Sequence, residues 1–143
     1  MVWLPFLIEV NLKSIKVFYW VAFGLSVVIL PQNFGLGLIA LGIPIILILI
    51  LHIGIGLNMD RLHNYRLSLV VSAVNLLLFV LIRPDGAHAF NETGLSASLQ
   101  MMGIHLSGSP KYEDLLFLIS MVLLILQSVF DIRLLRISRK LRA

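Results

Sequence analysis

The sequence predicts an all-α, polytopic integral membrane protein folded as a four-transmembrane-helix bundle. Three observations predict it. Hydrophobic residues make up 59% of the 143 residues and charged ones only 13%, far below the roughly one quarter usual in soluble domains. Four apolar runs are long enough, or nearly so, to cross a bilayer. Lysine and arginine gather beside alternate ends of those runs. A soluble fold of this size has too much surface to hide so much apolar side chain.

A hydrocarbon core about 30 Å thick takes roughly 20 apolar residues in a helix. The first span covers about residues 12–30 and is closed by Pro31. The second covers about 34–59, the third 67–82, and the fourth about 115–137. The third is short, about 24 Å at the helical rise, so the flanking Arg66 and Arg83 are expected to snorkel outward to headgroups. The second is long, about 39 Å, so it is expected to tilt or to bend at Pro44. The uncharged connection around Pro31–Asn33 predicts that spans one and two are adjacent and antiparallel.

Orientation follows from the basic residues beside the span ends. Lys13 and Lys16 precede span one, Arg61 and Arg66 separate spans two and three, and Arg133, Arg136, Arg139, Lys140 and Arg142 follow span four. The opposite side has only Arg83 and Lys111, set against Asp85, Glu92, Glu113 and Asp114. The richer side is expected to be cytoplasmic, with both termini there, as in a bacterial inner (plasma) membrane. The basic tail, residues 133–143, is expected to bind anionic headgroups.

Two pieces lie outside the spans. Residues 3–16 read either as an N-terminal interfacial helix, with Glu9, Lys13 and Lys16 on one stripe, or as a plain extension of span one. No cleaved signal peptide is expected, because no positive charge precedes the first apolar run and Glu9 interrupts it. The outer loop, residues 83–114, predicts a short helix over Leu95–Leu106 lying on the outer leaflet, with Gly108 and Pro110 as stop signals. It also contains the sequon Asn91-Glu92-Thr93, meaningful only in a eukaryotic secretory membrane.

Polar groups inside a bilayer cost free energy unless they find partners. Ser68, Ser72 and Asn75 share one face of span three. Ser120, Gln127 and Asp131 share one face of span four, and His52 sits in span two. Topology and periodicity bring His52, Ser68, Ser72, Gln127 and Asp131 to one layer, with Asn75 on the same face. This cluster reads as interhelical hydrogen bonding or as a site that handles a proton or ligand. Gly35, Gly42 and Gly56 recur at multiples of seven and predict a groove for a neighbouring helix.

Several chemistries are excluded or disfavoured. With no cysteine, thiolate metal sites, disulfides and a cysteine nucleophile are impossible. His52 is the only histidine within a span, against the facing pair a bis-histidine haem needs; His63, His88 and His105 fall in loops. His88, His105, Asp85 and Glu92 match no metal-ligand spacing. The arginines at every third position from Arg133 follow the apolar run and so cannot sense voltage within it. The basic residues form no patch on a polar domain, against nucleic acid as a partner. The expectation is a small non-enzymatic membrane subunit without cofactor or metal, packing with itself or a larger complex. The alternative is a small oligomeric transporter or channel with a polar pathway around His52, Asn75, Gln127 and Asp131.

Overall fold

The computed structural model describes residues 11–33, 36–84, 93–104 and 113–141. Their order is α1 (Leu12–Ile29), a 3-10 turn (Leu30–Asn33), α2 (Leu36–Gly56), a 3-10 segment (Met59–Tyr65), α3 (Arg66–Ile82), α4 (Gly94–Met101) and α5 (Glu113–Lys140). Three helices are long and apolar enough to cross a membrane, within Leu12–Gln32, Met59–Ile82 and Leu115–Lys140; the described apolar stretch of α2, Leu41–Gly56, is shorter.

Each helix has a local reason to start or stop. Asn11 caps α1, its side chain accepting from the Lys13 amide at 3.0 Å, which satisfies one of the open N–H groups of the first turn. The structural part of the proposed helix over residues 3–16 therefore breaks at Asn11; Trp3, Glu9 and the rest of residues 1–10 lie outside the described residues. The helix α2 runs unbroken through Pro44 but ends at Gly56, short of the expected residue 59. Its 21 residues reach about 31 Å, which removes the need for a tilt or a bend. Beyond it, Met59 and Leu62 of the 3-10 segment are buried and plug that end of the bundle.

The outer helix is shorter than expected, ending at Met101 rather than near Leu106. Its N-terminus is a capping box: the Ser96 amide donates to Thr93 Oγ1 and the Thr93 amide to Ser96 Oγ. Its end is set by Gly103 at φ 81°, where the Gly103 and Ile104 amides close back on the Gln100 and Leu99 carbonyls. It packs on α3 and on the Leu30–Asn33 turn, where Ser98 Oγ donates to Gln32 Oε1 at 3.1 Å. A Cβ at Gly94 would stand 2.0 Å from the Val80 carbonyl oxygen, so only glycine permits this approach.

Consecutive helices are not the main partners. The helix α1 packs chiefly on α3, α3 on α5, and α2 on α5, while α1 and α2 touch little. The expected tight pairing of spans one and two is thus replaced by a parallel pairing of α1 with α3. Their starts are joined by the Lys16–Asp60 ion pair, and their ends by Arg83 Nη2, which donates to the Leu30 carbonyl at 3.4 Å. The six-residue link between Ile29 and Leu36 fixes where α2 begins but not which face it uses, and the larger complementary surfaces lie elsewhere. Arg83 also departs from expectation. It is 1% exposed, because the chain folds back over it through the Gly94–Arg83 backbone bond and the Pro84–Thr93 bridge.

Two apolar clusters fill the bundle. One joins Ile15, Tyr19, Ala22, Ile55, Met59, Leu62, Leu69, Ala73 and Leu134. The other joins Leu30, Ile45, Ile48, Leu76, Phe79, Val80 and Leu124.

Candidate functional site

Between those clusters lies a layer of polar side chains contributed by three helices. The i, i+3 and i, i+4 spacings that put Ser72 and Asn75 on one face of α3, and Gln127 and Asp131 on one face of α5, turn both pairs toward the same interior. His52 enters from α2. All five are buried, with His52, Ser72 and Asp131 at 0% exposure.

The hydrogen bonds form a chain whose directions can be worked out. Asn75 Nδ2 donates to the Leu123 carbonyl at 2.9 Å and to Gln127 Oε1 at 2.8 Å. The Leu123 carbonyl can only accept, so the Asn75 amide has one workable orientation. That in turn directs Gln127 Nε2 toward Ser72 Oγ at 2.9 Å, Asp131 Oδ1 at 2.9 Å and His52 Nδ1 at 3.3 Å. Ser72 Oγ donates to the same Asp131 Oδ1 at 2.8 Å.

Gln127 has two amide hydrogens for three acceptors. His52 Nδ1 lies 3.5 Å from Asp131 Oδ2. His52 Nδ1 thus faces both the Gln127 amide, from which it accepts in one tautomer, and the Asp131 carboxylate, toward which it turns a hydrogen in the other. At 3.5 Å the contact is an electrostatic one and not a formed hydrogen bond. Asp131 Oδ2 and His52 Nε2 have no hydrogen-bond partner among the described residues, a costly state for buried polar atoms.

An aromatic lid closes the layer from α1. The Tyr19 ring stacks on His52 at 4.2 Å between centroids and 7° between planes, and Phe23 lies 5.5 Å from it. Tyr19 also donates its hydroxyl hydrogen to the His52 carbonyl at 3.0 Å, so one residue pins both the ring and the backbone of α2.

The structure brings His52, Ser72, Asn75, Gln127 and Asp131 together. Ser68 stands apart, half-buried one turn earlier on α3. Ser120 is buried but donates to its own helix, to the Phe117 carbonyl at 2.8 Å. Tyr19 was not foreseen as part of the layer. Its signal was available in the heptad-like row Ile15, Tyr19, Ala22 and Ser26, all buried on α1.

The three glycines that the heptad spacing singles out, Gly35, Gly42 and Gly56, do not share one fate. Gly35 lies outside the described residues. A Cβ at Gly42 would meet nothing within 4 Å, whereas one at Gly56 would stand 2.5 Å from the Trp20 ring. Gly54, not foreseen, is the one that faces α5, where a Cβ would lie 3.3 Å from Leu135. Arg133, Arg136, Arg139 and Lys140 are exposed along the last turns of α5, and Arg142 lies outside the described residues, as do His88, His105, Asp85, Glu92 and Asn91. Among the described residues no group of three or more His, Asp or Glu side chains could hold a metal ion.

No protein-family model, curated protein or solved structure matches the chain. Its chemistry must be argued from this geometry alone.

Proposed function

We propose that the chain is an integral membrane protein that crosses a plasma membrane of bacterial type four times, with both termini in the cytoplasm. In this reading it serves as a small non-enzymatic subunit, packing with itself or with a larger membrane complex. Three long apolar helices support the membrane placement. The 21-residue α2 supplies the fourth crossing, and the nine-to-two distribution of basic residues supports the orientation.

One observation carries the functional reading. The polar layer is sealed above and below by apolar clusters and on one side by Tyr19 and Phe23. Its bonds run between helices α2, α3 and α5. A layer so enclosed acts as a clasp for the bundle and offers no continuous path for a solute. The remaining chemistry is then the outer surface, where Ile39, Ile43, Ile46, Leu47 and Ile50 of α2 stand exposed to lipid or to another helix.

A second reading, an oligomeric transporter or channel, is favoured by the unpartnered Asp131 Oδ2 and His52 Nε2, since buried ionisable groups mark ion and proton paths in membrane proteins. Purification in mild detergent with mass determination separates the two. A stable hetero-complex supports the subunit, and a symmetric ring whose interior is lined by the His52 layer supports transport. Labelling of single cysteines introduced at Ala143 and at the exposed Met102, near Ala97, should report opposite sides of the membrane; labelling from one side would overturn the four-span placement.

A further inference from the structure

A cavity of about 300 Å³ opens between α2 and α5 beside the basic end of the bundle. Ile50, Leu51 and Leu135 supply its apolar lining, and Arg61 from the 3-10 segment and Arg139 from α5 its cations. Gly54 lies in its lining, and its lack of a side chain lets Leu135 come within 3.3 Å of where a Cβ would stand. We propose that this groove binds one anionic phospholipid, its phosphate between the two guanidinium groups and one acyl chain along α2. The proposal rests on the membrane placement given above.

The charge at the groove is of one sign. No carboxylate lines it, and Asp60, the neighbouring acid, is engaged by Lys16. Arg61 is held over the opening by its Nη1, which donates to Asn58 Oδ1 at 3.0 Å, while Asn58 Nδ2 donates to the Gly54 carbonyl at 2.8 Å. The cation is thus tied to the last turn of α2. Guanidinium groups present paired donors that match phosphate oxygens. A basic recess between helices at the cytoplasmic face is a recurring form of anionic-lipid site.

The acyl part has a track as well. Ile46, Leu47 and Ile50 continue from the groove as exposed apolar side chains, a surface that a lipid tail covers without cost. Arg133 and Arg136 provide the contrast. They line an open surface built from α5 alone, with Val129, Ile132, Ile137, Lys140 and the shared Arg139, and Arg61 does not reach it.

The test is native mass spectrometry of the full chain in detergent, with added phosphatidylglycerol or phosphatidylcholine. One phosphatidylglycerol should be retained per chain, and phosphatidylcholine should not be. The double variant R61Q/R139Q should lose retention by roughly tenfold or more, while R133Q/R136Q, with equal loss of charge, should retain it. Equal loss in both double variants would reduce the effect to general surface charge and overturn the groove. So would equal retention of the zwitterionic lipid, or full displacement of phosphatidylglycerol by inorganic phosphate. Melting curves check that each variant folds, and R61Q alone, which lines the groove and not the open surface of α5, carries the same comparison if the double variant does not. A failure here leaves the cysteine-labelling result for the membrane placement untouched, so the two can fail separately.

Discussion

The helices α2 and α3 show opposite relations between apolarity and burial. Almost every residue of α2 is apolar, yet among its described side chains only Ile45, Ile48, His52 and Ile55 are buried, and the others are exposed or half-buried. In α3, Leu69, Ser72, Ala73, Asn75, Leu76, Phe79 and Val80 are buried, and a narrow stripe of Leu67, Val71, Val74 and Leu78 is exposed. The more polar helix is the central one. In water the order would be reversed, because apolar surface is driven inward. With apolar surroundings on the outside, that drive disappears, and packing and hydrogen bonds between helices decide position. On this account α2 is held by its packing on α5 and by His52 with the rings stacked on it, whereas α3 is held along its whole length.

The comparison can be broken most directly at the layer where the two helices meet α5. Asp131→Ala removes the acceptor of Ser72 and Gln127 and the neighbour of His52. It should destabilise the bundle by about 3–5 kcal/mol in detergent melts. His52→Ala should cost less, and the double variant should fall short of the sum by about 1–3 kcal/mol; strict additivity would show that the pair is not coupled.

Next comes the contrast in apolar burial. Phe79→Ala in α3 should cost about 3–4 kcal/mol, while Ile43→Ala in α2, at 76% exposure, should change stability by less than about 0.5 kcal/mol. Comparable losses would mean that the outer face of α2 is covered within the folded chain. Asn75→Leu follows, at about 1–3 kcal/mol, because Gln127 Oε1 is left without its donor. Retained stability there would show that the Gln127 amide is not oriented by Asn75.

The smallest expected effect on the isolated chain is also the most informative about partners. Gly56→Leu should cost about 1–3 kcal/mol through overlap with the Trp20 ring. Gly42→Leu, with open space around it, should leave the melting temperature unchanged. If Gly42→Leu nevertheless weakens association measured by light scattering, the outer face of α2 meets another helix.

Helix positions and the inward faces of α3 and α5 were legible in the sequence. They depend on apolar run length and on the 3.6-residue period, both local properties. The convergence of Asp131, Gln127, Ser72 and His52 was legible too, because a polar group within an apolar run has few places to go. Tyr19 was not singled out, since an aromatic residue in an apolar run looks like any other lipid-facing or core side chain until its hydroxyl finds a carbonyl. Ser68 shares the face of Ser72, but one turn of helix places it below the layer.

The sequence by itself determined where the helices lie, which faces turn inward and which side carries the basic charge. Tertiary structure alone decided that α1 pairs with α3 in preference to α2, that Arg83 folds inward under α4 and not outward, and that Gly54 rather than Gly42 faces α5. The physical reason is the same in each case. Run length and periodicity are summed along one helix, whereas partner choice compares surfaces of helices far apart in the chain. Close approaches such as Gly94 on the Val80 carbonyl exist only once those surfaces have met.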